Sequence, residues 1–336
     1  MRFHRVVGVA AGVLLLCACA TPQTKRLTEA PPPGLPMRVM LKGMPFIAQQ
    51  AYHCGPAALA MAMRFYGLDV TQASLARAVY TPELKGSLQA EMLAATRRHG
   101  LLAYVLTPNL QSLLEEIAAG HPVVILQNLG VSWYPVWHYA VAIGYDLGAR
   151  KIILNTGRNP AYRASLSTFE RTWARSRYWA LVPLPPIILP RDKAPLRMLE
   201  AAAALEQTGE LRAAKKAYTA AVHRWPRNLI ARMGIGNTRY ALGKIYAAVR
   251  AFRAAIAVDP HSAAAYNNLA VGLSKLGCHR DAIEAARRAV PLGDKGTSSF
   301  RKTLREVSNA SPAEIEPARC AALGIADAGN NVADHY

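Results

Sequence analysis

The chain has 336 residues, 52% of them hydrophobic, which suits two ordinary domains and excludes a disordered chain. Its formal net charge of +19 favours anionic surfaces, but the basic residues are dispersed and no stripe interleaves them with aromatics, so nucleic acid is not an expected partner. Five cysteines form no CxxC pair and no metal-ligand spacing, so no metal or cofactor is expected.

Residues 1–18 read as a signal peptide. Arg2 and Arg5 precede an apolar run, Val6 to Leu16, that is too short to span a bilayer as a stable helix. Leu16-Cys17-Ala18-Cys19 resembles the lipobox of bacterial lipoproteins, which implies lipidation at Cys19. Ala20 follows, with no Asp, which in that pattern resembles sorting to the outer membrane. The expected location is the bacterial cell envelope, lipid-anchored at the periplasmic face of the outer membrane. Residues 19–38 contain Pro22, Pro31, Pro32, Pro33 and Pro36 and read as an extended tether.

A first domain is expected over 39–186. Cys54 to Gly67 reads as a helix, because Pro56 is tolerated in a first turn and Gly67 suits a C-terminal stop. Further helices are expected near 71–79, 87–99 and 109–119, the last capped by Asn109 and ended by Gly120. The period then shortens. Pro122–Asn128, His138–Asp146, Lys151–Asn155 and Tyr178–Leu184 read as strands. Helices followed by antiparallel strands predict an α+β domain.

Cys54 at a helix N-terminus sits where unpaired backbone N–H groups favour thiolate, the nucleophilic form. His138 opens a strand after an aromatic loop (Trp133, Tyr134, Pro135, Trp137) and suits the base. Asn155 ends the next strand of the same hairpin and suits the residue that orients the imidazole. Gln49, five residues before Cys54, can donate to an oxyanion together with the Cys54 backbone N–H; Gln50 is the alternative. Tyr52, His53 and Trp137 either line the cleft or pack.

The run from Pro45 through Gln49 and Cys54-Gly-Pro-Ala-Ala-Leu, then His138-Tyr-Ala-Val-Ala-Ile-Gly-Tyr-Asp146, resembles the papain-like superfamily. It is more closely similar to the bacteriocin-processing double-glycine cysteine peptidases and their stand-alone relatives, over roughly residues 40–185. The resemblance implies a Cys54 nucleophile, a His138 base, an Asn155 orienting residue and a Gln49 oxyanion donor. Many relatives place Asp, usually followed by Pro, at the third triad position. Here Asn155-Thr156-Gly157 looks more like the Asn-Ser of papain. No membrane-spanning or ATP-binding part follows, so whether double-glycine leaders are the substrate stays open at this point.

After a linker over 187–195, residues 196–296 repeat with a period of 34. Gly209, Gly243 and Gly277 share that spacing, as do Ala214, Ala248 and Ala282, and Ala217, Ala251 and Ala285. The pattern resembles three tetratricopeptide repeats, an all-α solenoid. Residues 297–336 are read as a capping helix near 298–308 and a loose tail. Cys278 and Cys320 are a candidate disulfide.

The function expected is that of an exported, lipid-anchored cysteine peptidase cleaving a peptide or protein, with the repeats holding substrate or a protein partner. Two readings compete with it. One is a non-catalytic adaptor whose repeats do the binding. The other is a thiol amidase or acyltransferase acting on a non-peptide substrate.

Overall fold

The computed structural model describes residues 21–191, 194–293, 298–310 and 320. The signal peptide and Cys19, and most of the tail, lie outside the described residues. The described chain forms two compact units, one running to Pro185 with residues 190–194 and one comprising residues 186–189 and the chain from Pro195 onward.

The first unit is an antiparallel sheet covered on both faces. The helices are α1 (Pro22–Glu29), α2 (Cys54–Phe65), α3 (Gln72–Val79), α4 (Gln89–Arg98), α5 (Leu110–Ala118) and α6 (Leu166–Ala174). The strands are β1 (Arg38–Met40), β4 (Leu102–Val105), β5 (Val123–Asn128), β6 (Trp137–Asp146), β7 (Lys151–Thr156), β8 (Asn159–Ser165) and β9 (Ala180–Leu184), with a separate small hairpin of β2 (Tyr80–Thr81) and β3 (Gly86–Ser87). The sheet runs β4-β9-β5-β6-β7-β8, and β1 pairs with β6 beyond the end of β5. The helix-then-sheet order of the α+β class is therefore as the sequence pattern predicts. Short β4 and the exposed strand β8 carry little hydrophobic periodicity and are not visible in that pattern.

Strand β6 is the axis of the sheet. Its residues Tyr139, Val141 and Ile143 share one buried cluster with α2 residues Ala58 to Met63. Helices α5 and α6 pack on the opposite face. Burial on both faces explains why β5 is a continuous apolar run rather than an alternating one.

The stretch read as an extended tether contains a helix instead. Pro22 occupies the start of α1, where its missing N–H leaves no bond unmade. The buried Glu170 carboxylate accepts from the backbone N–H of Gln23 (3.1 Å) and Thr24 (2.7 Å), satisfying two orphan donors at the helix start. Gln23 Oε1 in turn accepts from Leu110 N–H, the first residue of α5, at 2.7 Å. Leu27 is buried beneath. The consecutive prolines come after this helix, not before it.

The second unit is built of helix pairs: α7 (Pro195–Gln207) with α8 (Leu211–Arg224), α9 (Leu229–Ala241) with α10 (Ile245–Val258), and α11 (Ala263–Lys275) with α12 (His279–Leu292). A further helix, α13 (Ser298–Asn309), follows and buries Val307 against the last pair. The periodic glycines Gly209, Gly243 and Gly277 have φ of +82°, +74° and +78°, the left-handed conformation that turns each first helix into its second. The periodic alanines are buried between helices. Gly234 and Gly236 of α9 let aromatic rings through: a Cβ at Gly236 would lie 2.2 Å from the Phe252 ring, and one at Gly234 2.4 Å from the Tyr218 ring. Cys278 and Cys320 are disulfide-bonded, closing a 42-residue separation.

Two outcomes follow from these contacts. Gly236→Ala should cost about 1–3 kcal/mol through the clash with Phe252, read as a lowered melting temperature of the repeat unit. Glu170→Ala should cost about 1–3 kcal/mol and release α1, read as faster tryptic cleavage at Lys25 and Arg26 in the native protein. Unchanged cleavage there would show that Glu170 does not hold the helix.

Candidate active site

Cys54 reaches the sheet because α2 has almost no side-chain bulk at its start. Residues 55–63 are all buried. A Cβ at Gly55 would lie 2.6 Å from Ser87 Oγ and 2.7 Å from Ser87 Cβ, so β3 can approach only a glycine there. Pro56, Ala57 and Ala58 continue the narrow end of the helix into the core. The Cys-Gly-Pro-Ala-Ala run is thus a packing requirement as well as a chemical motif.

A tight turn delivers the helix. His53 N–H donates to Gln50 O at 3.1 Å, and Tyr52 sits at φ +63°, unusual for a bulky residue. This reversal sets Gln49 beside the start of α2. Gln49 is half-buried and Gln50 is exposed, so the structure directs the first of the two inward. The Gln49 backbone N–H donates to Gly157 O at 2.9 Å, and its side-chain Nε2 donates to Tyr139 O at 3.1 Å. Gln49 thereby bridges β6 and the chain leaving β7, past the last β6–β7 pair, Val141 with Asn155. An amide nitrogen carries two N–H groups, so one remains for a further acceptor.

Cys54 faces the other backbone group of Tyr139. The Tyr139 backbone N–H points at its thiol, and the backbone N–H groups of Cys54 and Gly55 add to it. His138 is the preceding residue on β6. Gln49 and Cys54 are therefore brought together around the Tyr139 backbone, and His138 is the residue next to it on β6. The Tyr139 ring is buried, and its hydroxyl donates to Ser87 O at 3.2 Å, tying β6 to the β2–β3 hairpin beside Gly55.

Asn155 stands differently from the sequence expectation. Its side chain is buried on the α2 side of β7, where Nδ2 donates to Pro45 O (3.3 Å) and Oδ1 accepts from Ala161 N–H (3.0 Å). The hydrogen bond to the imidazole comes from the next residue: His138 Nε2 and Thr156 Oγ1 are 2.7 Å apart. Neighbouring side chains on a strand point to opposite faces, so a one-residue offset changes the partner completely. Nothing in the local composition marks Thr156; only the exact register of β6 against β7 does.

The electrostatics follow burial. Desolvation pushes the Cys54 thiol above its ordinary value of 9.0, outweighing the backbone N–H groups of Tyr139, Gly55 and Cys54 that pull it down. Desolvation likewise lowers the His138 imidazole below its ordinary value of 6.5. Both shifts oppose a thiolate–imidazolium pair, so the resting site holds a neutral thiol and a neutral imidazole. The helix-terminus field expected to favour thiolate is present but is the smaller effect. Among the described residues no group of three or more His, Cys, Asp or Glu is placed to hold a metal ion. None of the described helices is long and apolar enough to cross a membrane.

Comparison with known proteins agrees with this architecture. Residues 41–181 match the Peptidase_C39 like family, residues 199–248 a tetratricopeptide repeat family and residues 236–277 a TPR repeat family. No curated protein sequence matches the chain. Among solved structures, a C39-like peptidase from Bacillus anthracis is 21% identical with a TM-score of 0.37, over 43% of this chain and 96% of that one. The Sgt2 TPR domain from Aspergillus fumigatus is 20% identical with a TM-score of 0.33, over 36% of this chain and 87% of that one. The chain joins a C39-like peptidase domain to tetratricopeptide repeats.

Proposed function

We propose that the first unit is a cysteine peptidase in which Cys54 is the nucleophile, His138 the base, Gln49 the oxyanion donor and Thr156 the residue that positions His138. One observation carries this reading: Gln49 and Cys54 converge on the Tyr139 backbone, one residue from a histidine held at its far nitrogen. With Nε2–H donating to Thr156 Oγ1, Nδ1 is left unprotonated as the base. Asn155, expected to orient the imidazole, instead braces the strand end behind it.

The chemistry balances on these groups. Cys54 Sγ attacks the scissile carbonyl carbon while its proton passes to His138. The carbonyl oxygen becomes an oxyanion that accepts from Gln49 Nε2–H and the Cys54 backbone N–H. His138 returns the proton to the departing amine, leaving a thioester. Water, deprotonated by His138, then releases the acid and restores the thiol.

A second reading has a specific observation behind it. A threonine hydroxyl both donates and accepts, so it does not enforce one imidazole tautomer or stabilise an imidazolium as a carboxylate does. With the thiol pushed up by burial, the site also fits a binding module that has lost catalysis, leaving the repeats as the working surface.

Export and anchoring belong to the same proposal. The lipobox-like segment supports lipidation of Cys19 in a bacterial envelope, and the Cys278–Cys320 disulfide supports an oxidising compartment. Since α1 begins at Pro22, such a lipid would hold the first unit within roughly 10 Å of the membrane by chain length alone. The repeats would recruit a peptide substrate or a protein partner.

Cleavage of a peptide library, mapped by mass spectrometry, is expected to disappear in Cys54→Ala; no Cys54-dependent cleavage in the wild type would leave the binding module as the answer. Because the thiol is pushed up, the rate of Cys54 alkylation should still climb above pH 9.0. A plateau already reached by neutral pH would contradict the neutral resting pair. Thr156→Asp should stabilise the imidazolium and through it the thiolate, moving that profile down by about one pH unit, which a purely structural role for Thr156 would not do. Intact-mass analysis of the exported protein tests the anchor: an unmodified N-terminus would refute it.

A further inference from the structure

The β5–β6 loop carries large apolar side chains in the open. Trp133 is 83% and Tyr134 74% exposed, and Trp137, next to His138, is 52% exposed. Such exposure ordinarily marks a contact surface.

The loop is also built to hold its shape. Asn128 Oδ1 accepts from the backbone N–H of Gly130 (3.0 Å) and Val136 (2.9 Å). Leu129 N–H donates to Val136 O at 2.8 Å, and Val131 and Tyr134 exchange two backbone bonds of 3.2 Å. Arg175 of the α6 end clasps the carbonyls of Asn128 and Gly130. A Cβ at Gly130 would lie 2.3 Å from Tyr134 O, so the two arms close only with glycine there. A preorganised loop loses little entropy on binding.

Two further facts fix what it would bind. Residues 43–63 and 122–145, which carry Gln49, Cys54 and His138, contain no Asp, Glu, Lys or Arg in a chain of net charge +19. The exposed residues of these segments, Trp133, Tyr134 and Trp137 among them, therefore bring no charge of their own to a partner. In the proposed reaction His138 must protonate the departing amine, so the leaving half of the substrate lies on the His138 side. That side is where the loop begins.

We infer that the β5–β6 loop is the leaving-side specificity platform, with Trp137, Tyr134 and Trp133 receiving apolar side chains of an extended peptide C-terminal to the scissile bond. The inference rests on the reading of Cys54 as a peptidase nucleophile. The arm from Trp137 back to Tyr134 reaches roughly 10 Å before the chain turns at Trp133, which matches roughly three or four residues of an extended substrate.

The test profiles cleavage of a peptide library by wild type, Cys54→Ala, a Trp133→Ala/Tyr134→Ala double variant and its Phe/Phe counterpart. Matching melting curves establish that each variant is folded. The double alanine variant should lose about tenfold in kcat/KM for peptides with an aromatic or large aliphatic residue at the third or fourth leaving-side position, and nothing for peptides with Ser or Gly there. The Phe/Phe variant should retain the preference. Cys54-dependent cleavage with an unchanged profile in the double alanine variant overturns the inference while sparing the peptidase reading. Absence of any Cys54-dependent cleavage overturns both. Sedimentation with phosphatidylglycerol–phosphatidylethanolamine vesicles separates the remaining use of exposed aromatics. Loss of vesicle binding in the variant, with the cleavage profile unchanged, would assign the loop to lipid and overturn the substrate platform.

Discussion

The burial of α2 along β6 is the contact on which the candidate site depends. Residues 55–63 of α2 are all inaccessible, and the helix can lie so close only because its first turns are Gly, Pro and Ala. That packing carries Cys54 to the Tyr139 backbone N–H, and the turn through Tyr52 carries Gln49 to the carbonyl of the same residue. The backbone of β6 at Tyr139 then acts as the reference to which both side chains are registered. A side chain at Gly55 would displace the helix from Ser87 and with it the thiol. The chemistry and the core are therefore one construction in this domain rather than a site grafted onto a scaffold.

The same burial sets the resting electrostatics. A helix N-terminus contributes a partial positive field, worth a fraction of a kcal/mol to about 2 kcal/mol in buried geometries. Removing a thiolate from water opposes it, and here desolvation is the larger effect on Cys54. Position at a helix start is thus not sufficient to make a thiolate. The imidazole is disfavoured as a cation for the same reason, and its hydrogen-bond partner, Thr156, brings no charge to reverse it.

Much of this was legible in the sequence, and the parts that were not have identifiable causes. The Cys54 helix, the strands around 123–128, 137–146 and 151–156, and the 34-residue period announce themselves by hydrophobic spacing and by Gly at fixed offsets. Gln49 could be named but not separated from Gln50, because the turn that directs one inward depends on a positive φ at Tyr52, which its residue type disfavours. Thr156 was hidden behind Asn155 because a partner across two strands is decided by register, and a composition-based reading fixes strand ends only to within a residue or two. Helix α1 was masked by its prolines. Pro22 favours a helix start as readily as an extended chain, and the deciding group, Glu170, lies 146 residues away from Thr24.

Charge distribution links the fold to the reactivity. Residues 43–63 and 122–145 contain no Asp, Glu, Lys or Arg, and burial of α2 from its first turn and of β6 on both faces leaves little room for ionised side chains there. No charged neighbour accordingly contributes to the shift of either Cys54 or His138. Polarity at the site comes instead from fixed dipoles: the N–H groups of Tyr139, Gly55 and Cys54, the Gln49 amide and the Thr156 hydroxyl. Fixed dipoles stabilise charge that appears during a reaction without holding it beforehand. Under the proposed peptidase reading, a site made this way keeps its thiol protonated at rest, and the oxyanion developing on a bound carbonyl is the first charge for Gln49 and the helix start to meet.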